Sequence, residues 1–156
     1  MSVQVGQQAP DFTLKNTDME DVQLSSFQGQ KNVVLLFVPL AFTGVCTNEL
    51  CSVRDNLNNY SSLNAEVLGI SVDSPFSQKA WKEQENLNFS LLSDFNREVV
   101  QAYGTQYEAL GNFKGVAKRS AFVIDKQGQV QYAEVLESAG DLPNFDKINE
   151  TLQGLS

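Results

Sequence analysis

The sequence has no histidine, and its 156 residues include only two cysteines and one tryptophan. Without histidine, the chain cannot use a Ser-His or Cys-His nucleophile, a histidine base or a histidine metal ligand. The two cysteines, Cys46 and Cys51, cannot complete a structural zinc site within one chain, because such a site needs four ligands that are mostly Cys or His. We therefore expect chemistry that uses neither a metal nor a histidine.

Positive charge is also scarce, since 11 Lys and Arg residues face 19 Asp and Glu residues and the net charge is −8. This balance argues against nucleic acid and anionic membranes as partners, because both reward clustered Lys and Arg. The longest apolar run is far too short to span a bilayer. The N-terminus lacks a basic start followed by an apolar stretch, so we expect no signal peptide and a cytoplasmic protein with reduced thiols.

The length and the apolar pattern predict one α/β domain over residues 1–156. Residues 33–38 and 67–72 are apolar runs typical of strands that are buried on both faces of a sheet. Residues 121–124 and 130–135 are predicted to form a hairpin. Because a hairpin is antiparallel, we expect a mixed central sheet flanked by helices.

Helical patterns follow the two buried strands. From Cys46, an apolar stripe at helical spacing continues to Tyr60, which predicts one helix across both cysteines. Ser74 can cap a second helix, with Pro75 in its first turn. A C-terminal helix is predicted to bury the apolar positions Phe145, Ile148, Leu152 and Leu155.

Cys46 stands where the first buried strand has ended and a helix begins. The first turn of a helix offers free N–H groups and the positive end of the helix dipole, and both favour a thiolate over a thiol. Gly44 allows close approach of a small ligand, Pro39 shapes a wall without adding a donor, and Thr43 brings a hydroxyl. The alternative is that Cys46 is a small core residue and that Thr43 is a simple helix cap.

Cys51 lies five positions after Cys46. In a regular helix this spacing is about 7.5 Å of rise and about 140° of rotation. A disulfide needs Cα atoms roughly 4.4–6.8 Å apart with converging side chains. A bond between the two cysteines therefore requires unwinding of the first helical turns, and the spacing does not match a CxxC redox motif. The alternative is that Cys51 is a structural thiol.

Pro39, Thr43 and Cys46 together match the PxxxTxxC signature of the peroxiredoxins. The resemblance extends over nearly the whole chain and includes residues 6–12, 69–73, 91–94 and 117–120. It implies a thioredoxin-like fold and a thiol peroxidase that reduces hydrogen peroxide and organic hydroperoxides. It also implies that no metal, haem or flavin cofactor is needed.

The resemblance assigns roles to five residues. Cys46 resembles the peroxidatic cysteine, Thr43 the threonine whose hydroxyl contacts the peroxide, and Pro39 the proline that shields the thiolate. Arg119 resembles a distant arginine that returns to the pocket, and Glu49 resembles a residue that orients this arginine. Without the resemblance, Arg119 would be interpreted as a solvated surface charge.

The recycling route stays open at the level of the sequence. The 39–44 stretch and residues 103–119 resemble the AhpE type, which often has one cysteine. The spacing of Cys46 and Cys51 resembles the bacterioferritin-comigratory (PrxQ) type, in which the second cysteine resolves the first. The expected partners are a peroxide and a thiol reductant of thioredoxin, glutaredoxin or low-molecular-weight type, and many relatives form homodimers. The rival interpretations are a dithiol oxidoreductase and a redox sensor or holdase.

Overall fold

Strand β3, Asn32–Phe37, is an interior strand of a mixed sheet in the computed structural model, which describes residues 2–155. All six of its residues are buried, as the unbroken apolar run predicts. The seven strands lie in the order β2-β1-β5-β4-β3-β6-β7. β3 pairs in parallel with β4 and antiparallel with β6, so the predicted mixed sheet is confirmed.

The other strands are β1 (Thr13–Asn16), β2 (Asp21–Gln23), β4 (Ala65–Ser71), β5 (Ser90–Ser93), β6 (Ser120–Ile124) and β7 (Val130–Val135). The helices are α1 (Gly44–Asp55), α2 (Leu57–Ser62), α3 (Pro75–Glu85), α4 (Glu98–Tyr103) and α5 (Phe145–Leu155). A short 3-10 turn spans Leu24–Phe27. Among residues 2–155, no helix is both long and apolar enough to cross a membrane.

The two faces of the sheet bury two separate apolar clusters, because successive side chains of a strand point to opposite faces. Alternate residues of β3 divide between them, with Leu35 in one cluster and Leu36 in the other. Residues of α1, α3 and α5 share the cluster of Leu36. α4 and part of the N-terminal segment share the cluster of Leu35. The sheet is therefore flanked by helices on both faces.

Most of the predicted elements are confirmed, with two differences. The apolar stripe that begins at Cys46 is divided, because α1 ends at Asp55 and α2 begins at Leu57. β5, Ser90–Ser93, was not predicted. Ser74 does cap α3, since its side chain accepts a hydrogen bond from the backbone N–H of Ser77.

The pairing of β3 with β6 determines which residues meet at one edge of the sheet. In this antiparallel pair, Phe37 at the end of β3 lies opposite Ser120 at the start of β6. The residue before Ser120 is Arg119, and α1 begins a few residues after Phe37. A residue late in the sequence is thereby brought beside the beginning of α1.

Candidate active site

Cys46 is the third residue of α1 and lies in its first turn. Thr43 occupies the N-cap position with an extended backbone, φ −83° and ψ 152°. The free N–H groups and the dipole of this turn favour negative charge on the sulfur. The Cys46 side chain is 1% exposed and belongs to the same apolar cluster as Leu50 and Val53. Cys46 is thus a buried residue in the first turn of a helix.

Arg119 lies directly against this thiol. Its Nη2 donates a hydrogen bond to Cys46 Sγ at 3.2 Å. Arg119 is only 2% exposed, so the interpretation as a solvated surface charge is wrong. A buried guanidinium beside a thiol stabilises the thiolate and provides a permanent charge with several N–H donors.

Glu49 completes a buried cluster with Arg119. Glu49 Oε1 accepts a hydrogen bond from Arg119 Nη1 at 2.8 Å, and Glu49 itself is fully buried. The carbonyl of Ala139 accepts two more hydrogen bonds, from Arg119 Nε at 3.1 Å and Nη2 at 3.0 Å. The arginine side chain is therefore fixed from three directions, by a carboxylate, a thiol and a carbonyl.

The electrostatics of this cluster follow from its burial. Burial raises the pKa of Glu49 to about 7, although the hydrogen bond and the charge of Arg119 act in the opposite direction. Burial disfavours the charged form of Arg119, but the charges and hydrogen bonds of Cys46 and Glu49 outweigh it and raise the Arg119 pKa above its ordinary value. The guanidinium therefore stays charged beside the sulfur.

A pocket of about 310 Å³ opens onto Cys46. Most of the side chains that line it are apolar, while Thr43, Cys46 and Arg119 are the polar or reactive groups. The other lining residues are Pro39, Leu40, Gly44, Val45, Leu110, Ala139 and Gly140. A mainly apolar pocket with a few converging polar groups has the form of a small-molecule site.

Thr43 lines the pocket, but its hydroxyl proton is already engaged. Thr43 Oγ1 donates a hydrogen bond to the carbonyl of Leu40 at 2.8 Å. Its side chain makes no capping bond to the first turn of α1, so the simple-cap interpretation is wrong. A hydroxyl that donates one hydrogen bond retains acceptor lone pairs, and Thr43 can therefore accept a hydrogen bond from a ligand in the pocket.

Cys51 also lies on α1, away from the pocket lining. Its Sγ lies 3.5 Å from Glu85 Oε2 at the end of α3, within hydrogen-bond reach for a sulfur. Burial raises the pKa of the Cys51 thiol; the charge of Arg54 opposes this shift, and the Glu85 carboxylate adds to it. Both cysteines are free thiols on one continuous helix, so the structure does not bring them together.

Two contributors to the site were not found from the sequence. The Ala139 carbonyl that holds Arg119 is a backbone group, for which no residue-type signal exists. Leu110 reaches the pocket from the irregular 104–119 segment, which carries no helical or strand period. Among residues 2–155, no group of three or more His, Cys, Asp or Glu side chains is arranged to hold a metal ion.

Comparison with known proteins places this geometry in a family. The sequence model described as the AhpC/TSA family matches residues 5–133. Alkyl hydroperoxide reductase E from Mycobacterium tuberculosis is 43% identical over 133 residues, which cover 84% of this chain and 84% of the relative. A putative peroxiredoxin from Synechocystis is 39% identical over 163 aligned positions, which cover 98% of this chain and 77% of the relative.

Solved structures agree with the sequence comparison. The crystal structure of peroxidoxin BcpB from Mycobacterium tuberculosis superimposes with a TM-score of 0.87 at 31% identity and covers 100% of this chain and 99% of its own. The reduced 2-Cys peroxiredoxin of Plasmodium vivax gives 0.84 at 31% identity, with 96% of this chain and 80% of that chain covered. The predicted thioredoxin-like α/β fold is thereby confirmed. The chain belongs to the AhpC/TSA family and is a peroxiredoxin, a thiol-dependent peroxidase.

Proposed function

We propose that the Cys46 thiolate of this protein attacks hydroperoxides directly. The observation that carries the proposal is the hydrogen bond of 3.2 Å from Arg119 Nη2 to Cys46 Sγ in a buried setting. A thiolate is the nucleophilic form of cysteine, and both the arginine and the first turn of α1 favour it.

The reaction is a two-electron reduction of the peroxide. The sulfur of Cys46 bonds to one peroxide oxygen, the O–O bond breaks, and the other oxygen leaves as hydroxide or alkoxide. The leaving group takes up a proton and departs as water or an alcohol. The sulfur has then lost two electrons and is a sulfenic acid.

Four residues around Cys46 have distinct roles in this step. Arg119 stabilises the thiolate and the negative charge that develops on the two oxygens. Thr43 accepts the hydrogen bond of the peroxide O–H, since its own proton is held by Leu40. Pro39, which is buried, shields the thiolate from water. Glu49 orients Arg119 through the 2.8 Å ion pair.

The pocket supports hydrogen peroxide and organic hydroperoxides as substrates. Its volume of about 310 Å³ and its mainly apolar lining accommodate an alkyl group beside the reacting oxygens. The small hydrogen peroxide molecule needs only the polar end of the same pocket. Neither substrate requires a bound cofactor, because the sulfur supplies both electrons.

Recycling of the sulfenic acid is proposed to proceed through Cys51. After the first turns of α1 unwind, the Cys51 thiol displaces water from the Cys46 sulfenic acid and forms a disulfide. A thiol reductant of the thioredoxin, glutaredoxin or low-molecular-weight type then reduces that disulfide. The second candidate is direct reduction of Cys46 by an external thiol, and the contact of Cys51 with Glu85 on intact α1 favours it.

Two broader properties belong to the same proposal. A homodimer is proposed because many members of the family form one, and sedimentation velocity tests it. The proposed protein forms one domain over residues 1–156. A cytoplasmic location would keep both of its cysteines reduced between turnovers. Fractionation of the source cells tests the location.

Replacement of the nucleophile tests the function. Cys46→Ser is expected to abolish peroxide consumption in a single-turnover assay, because a hydroxyl is a poor nucleophile without a neighbouring base and the chain has no histidine. Cys51→Ser is the matched control, and it is expected to react with the first equivalent of peroxide at the normal rate. Near-normal consumption by the Cys46→Ser protein would overturn the assignment.

A further inference from the structure

We propose that Asp73 is a positioning residue for the candidate peroxidase site. Its carboxylate holds the loop of residues 39–43, hereafter the active-site loop, in the conformation that presents Thr43 to the pocket and starts α1 at Gly44. This inference rests on the proposed function and adds a residue that neither lines the pocket nor touches Cys46.

The active-site loop contains a residue in an unfavourable backbone conformation. Phe42 has φ 66°, in the left-handed region that a bulky side chain rarely adopts. Such a residue persists only where surrounding contacts hold it in place. Phe42 directly precedes Thr43, so a change in its backbone would move the hydroxyl that lines the pocket. Something outside the loop must therefore fix it.

Asp73 provides this restraint. The backbone N–H of Ala41, next to Phe42, donates a hydrogen bond of 2.7 Å to Asp73 Oδ2. Asp73 follows β4 in the sequence and lies 32 residues after Ala41. The bond thus joins the active-site loop to the edge of the sheet.

The carboxylate is itself held in a fixed position. Ser71 Oγ donates a hydrogen bond of 2.7 Å to the same Oδ2 atom. Ser71 is buried and accepts a hydrogen bond from Gln78 Nε2 at 2.9 Å. The carbonyl of Asp73 also accepts a hydrogen bond of 2.6 Å from Ser93 Oγ. Groups from β4, β5 and α3 therefore fix the acceptor before the loop binds to it.

A second contact from α3 reaches the same loop. The ring of Trp81 lies 6.3 Å from the ring of Phe42, measured between centroids. The Trp81 Nε1 donates a hydrogen bond to Thr47 Oγ1 at 3.1 Å, one residue after Cys46. Trp81 is 1% exposed and is the single tryptophan of the chain. Its fluorescence therefore reports on the active-site loop without any added probe.

The test compares Asp73→Ala with Asp73→Asn in the reduced protein. The first measurement is the rate of Cys46 oxidation by one equivalent of hydrogen peroxide, and the second is Trp81 emission. Asp73→Ala is expected to slow oxidation about 10- to 100-fold, the scale of a displaced catalytic group, and to shift Trp81 emission to the red. Asp73→Asn keeps an acceptor for Ala41, so it is expected to restore the rate to within about threefold.

Asp125→Ala is the matched control. Like the half-buried Asp73, the buried Asp125 is an aspartate whose carboxylate accepts hydrogen bonds from backbone N–H groups, here those of Gln127 and Gln129. It lies at the other end of β6 from the pocket, so its loss should lower stability and leave the oxidation rate unchanged. Equal slowing by Asp125→Ala and Asp73→Ala would reduce Asp73 to a general stabilising residue and overturn the inference. An Asn variant as slow as the Ala variant would also overturn it, because the slowing would then come from loss of the negative charge of Asp73 and not from loss of the hydrogen bond to Ala41.

Ser71→Ala and the emission of Trp81 provide two further tests of the role of Asp73. If Asp73→Ala does not fold, Ser71→Ala removes the hydroxyl that fixes the carboxylate, and a wild-type oxidation rate in that variant overturns the inference. If the unsubstituted protein does not oxidise at Cys46, the proposed function fails. The Trp81 emission of reduced Asp73→Ala still decides whether Asp73 holds the loop, because this readout needs no catalysis. An unchanged spectrum then counts against it.

Discussion

Arg119 and Glu49 form an ion pair of 2.8 Å in which the side chains are 2% and 0% exposed. The second carboxylate oxygen, Glu49 Oε2, has no hydrogen-bond partner among the described residues. Burial of this under-satisfied carboxylate raises its pKa to about 7. Arg119 therefore has a partner beside Cys46 whose charge changes near neutral pH.

The stability of the protein should depend on pH through Glu49. Its pKa is about 7 when folded, against an ordinary value of 4.5, so the folded state binds more protons between these limits. The contribution of Glu49 to stability is complete below about pH 4.5 and is lost as the pH rises through about 7. We expect the urea midpoint of the reduced protein to fall across this range for this reason.

Glu49→Gln isolates this effect, because other titrating groups act equally in both proteins. The difference between the two urea midpoints should change across about pH 4.5–7, with the wild-type protein losing stability relative to Glu49→Gln. Above about pH 7.5 the difference should be constant. Parallel curves for the two proteins over the whole range would show that Glu49 stays ionised in the folded state.

Arg119→Met is expected to slow peroxide reduction about 10- to 1,000-fold, the scale of losing an electrostatic donor in an active site. Lys118→Met is the matched control, because Lys118 is the neighbouring cation and its Nζ is bonded to Glu137 outside the pocket. The measurement is the single-turnover rate of peroxide reduction by each variant, starting from fully reduced protein. Equal rates for Arg119→Met and Lys118→Met would place the arginine outside the chemistry.

Loss of Arg119 alone leaves Glu49 buried without its cation. Removing one member of a buried pair costs about 3–5 kcal/mol of stability, so a slow Arg119→Met protein could be a poorly folded one. The double variant Glu49→Gln with Arg119→Met contains no buried charge at this position. A rate loss that persists in a folded double variant separates the catalytic effect from the structural one.

Thr43→Val tests the acceptor role of the threonine. Valine has nearly the same shape but cannot accept the peroxide O–H, so we expect a rate loss of about tenfold or more, typical of a missing catalytic hydrogen bond. Thr43→Ser keeps the hydroxyl and should stay within about threefold of the wild-type rate. Folding should be little affected, because Thr43 is exposed. Identical rates for the Val and Ser variants would exclude a role for the hydroxyl.

The elements that the sequence predicted are those with a strong local pattern. The apolar run of β3 and the cap at Ser74 depend on neighbouring residues, and both are confirmed. β5 was not predicted, because only Leu91 and Leu92 are apolar in its four residues. It exists through parallel pairing with β4, which is a tertiary interaction. The break at Asn56 is likewise invisible in a stripe that continues across it.

The active site likewise contains features that a local pattern predicts and features that depend on tertiary contacts. The position of Cys46 at a helix start followed from local pattern, but the approach of Arg119 came only from family resemblance. Its physical cause is the register of Phe37 with Ser120, two residues 83 positions apart. The contact of Asp73 with Ala41 has no sequence signal either, because a side chain bound to a backbone N–H leaves no residue-type pattern.

The last prediction concerns resolution by Cys51. Both cysteines lie on intact α1, where a five-residue separation is about 7.5 Å along the axis and is too long for a disulfide. We expect the oxidised protein to form a Cys46–Cys51 disulfide only after the first turns of α1 open. Opening a helix end costs far less than global unfolding. Amide exchange across residues 44–53 should therefore be faster in the oxidised than in the reduced protein.

Peptide mapping without reductant, after one equivalent of peroxide, decides between the two routes. A linked Cys46–Cys51 peptide with a mass lower by about 2 Da, the loss of two hydrogens, supports resolution within the chain. Cys51→Ser is the control, and it should accumulate the sulfenic acid with little change in exchange. If the unsubstituted protein also retains a Cys46 sulfenic acid beside a free Cys51, the resolving role is wrong. The bond of Cys51 to Glu85 would then be structural, and an external thiol would complete the cycle.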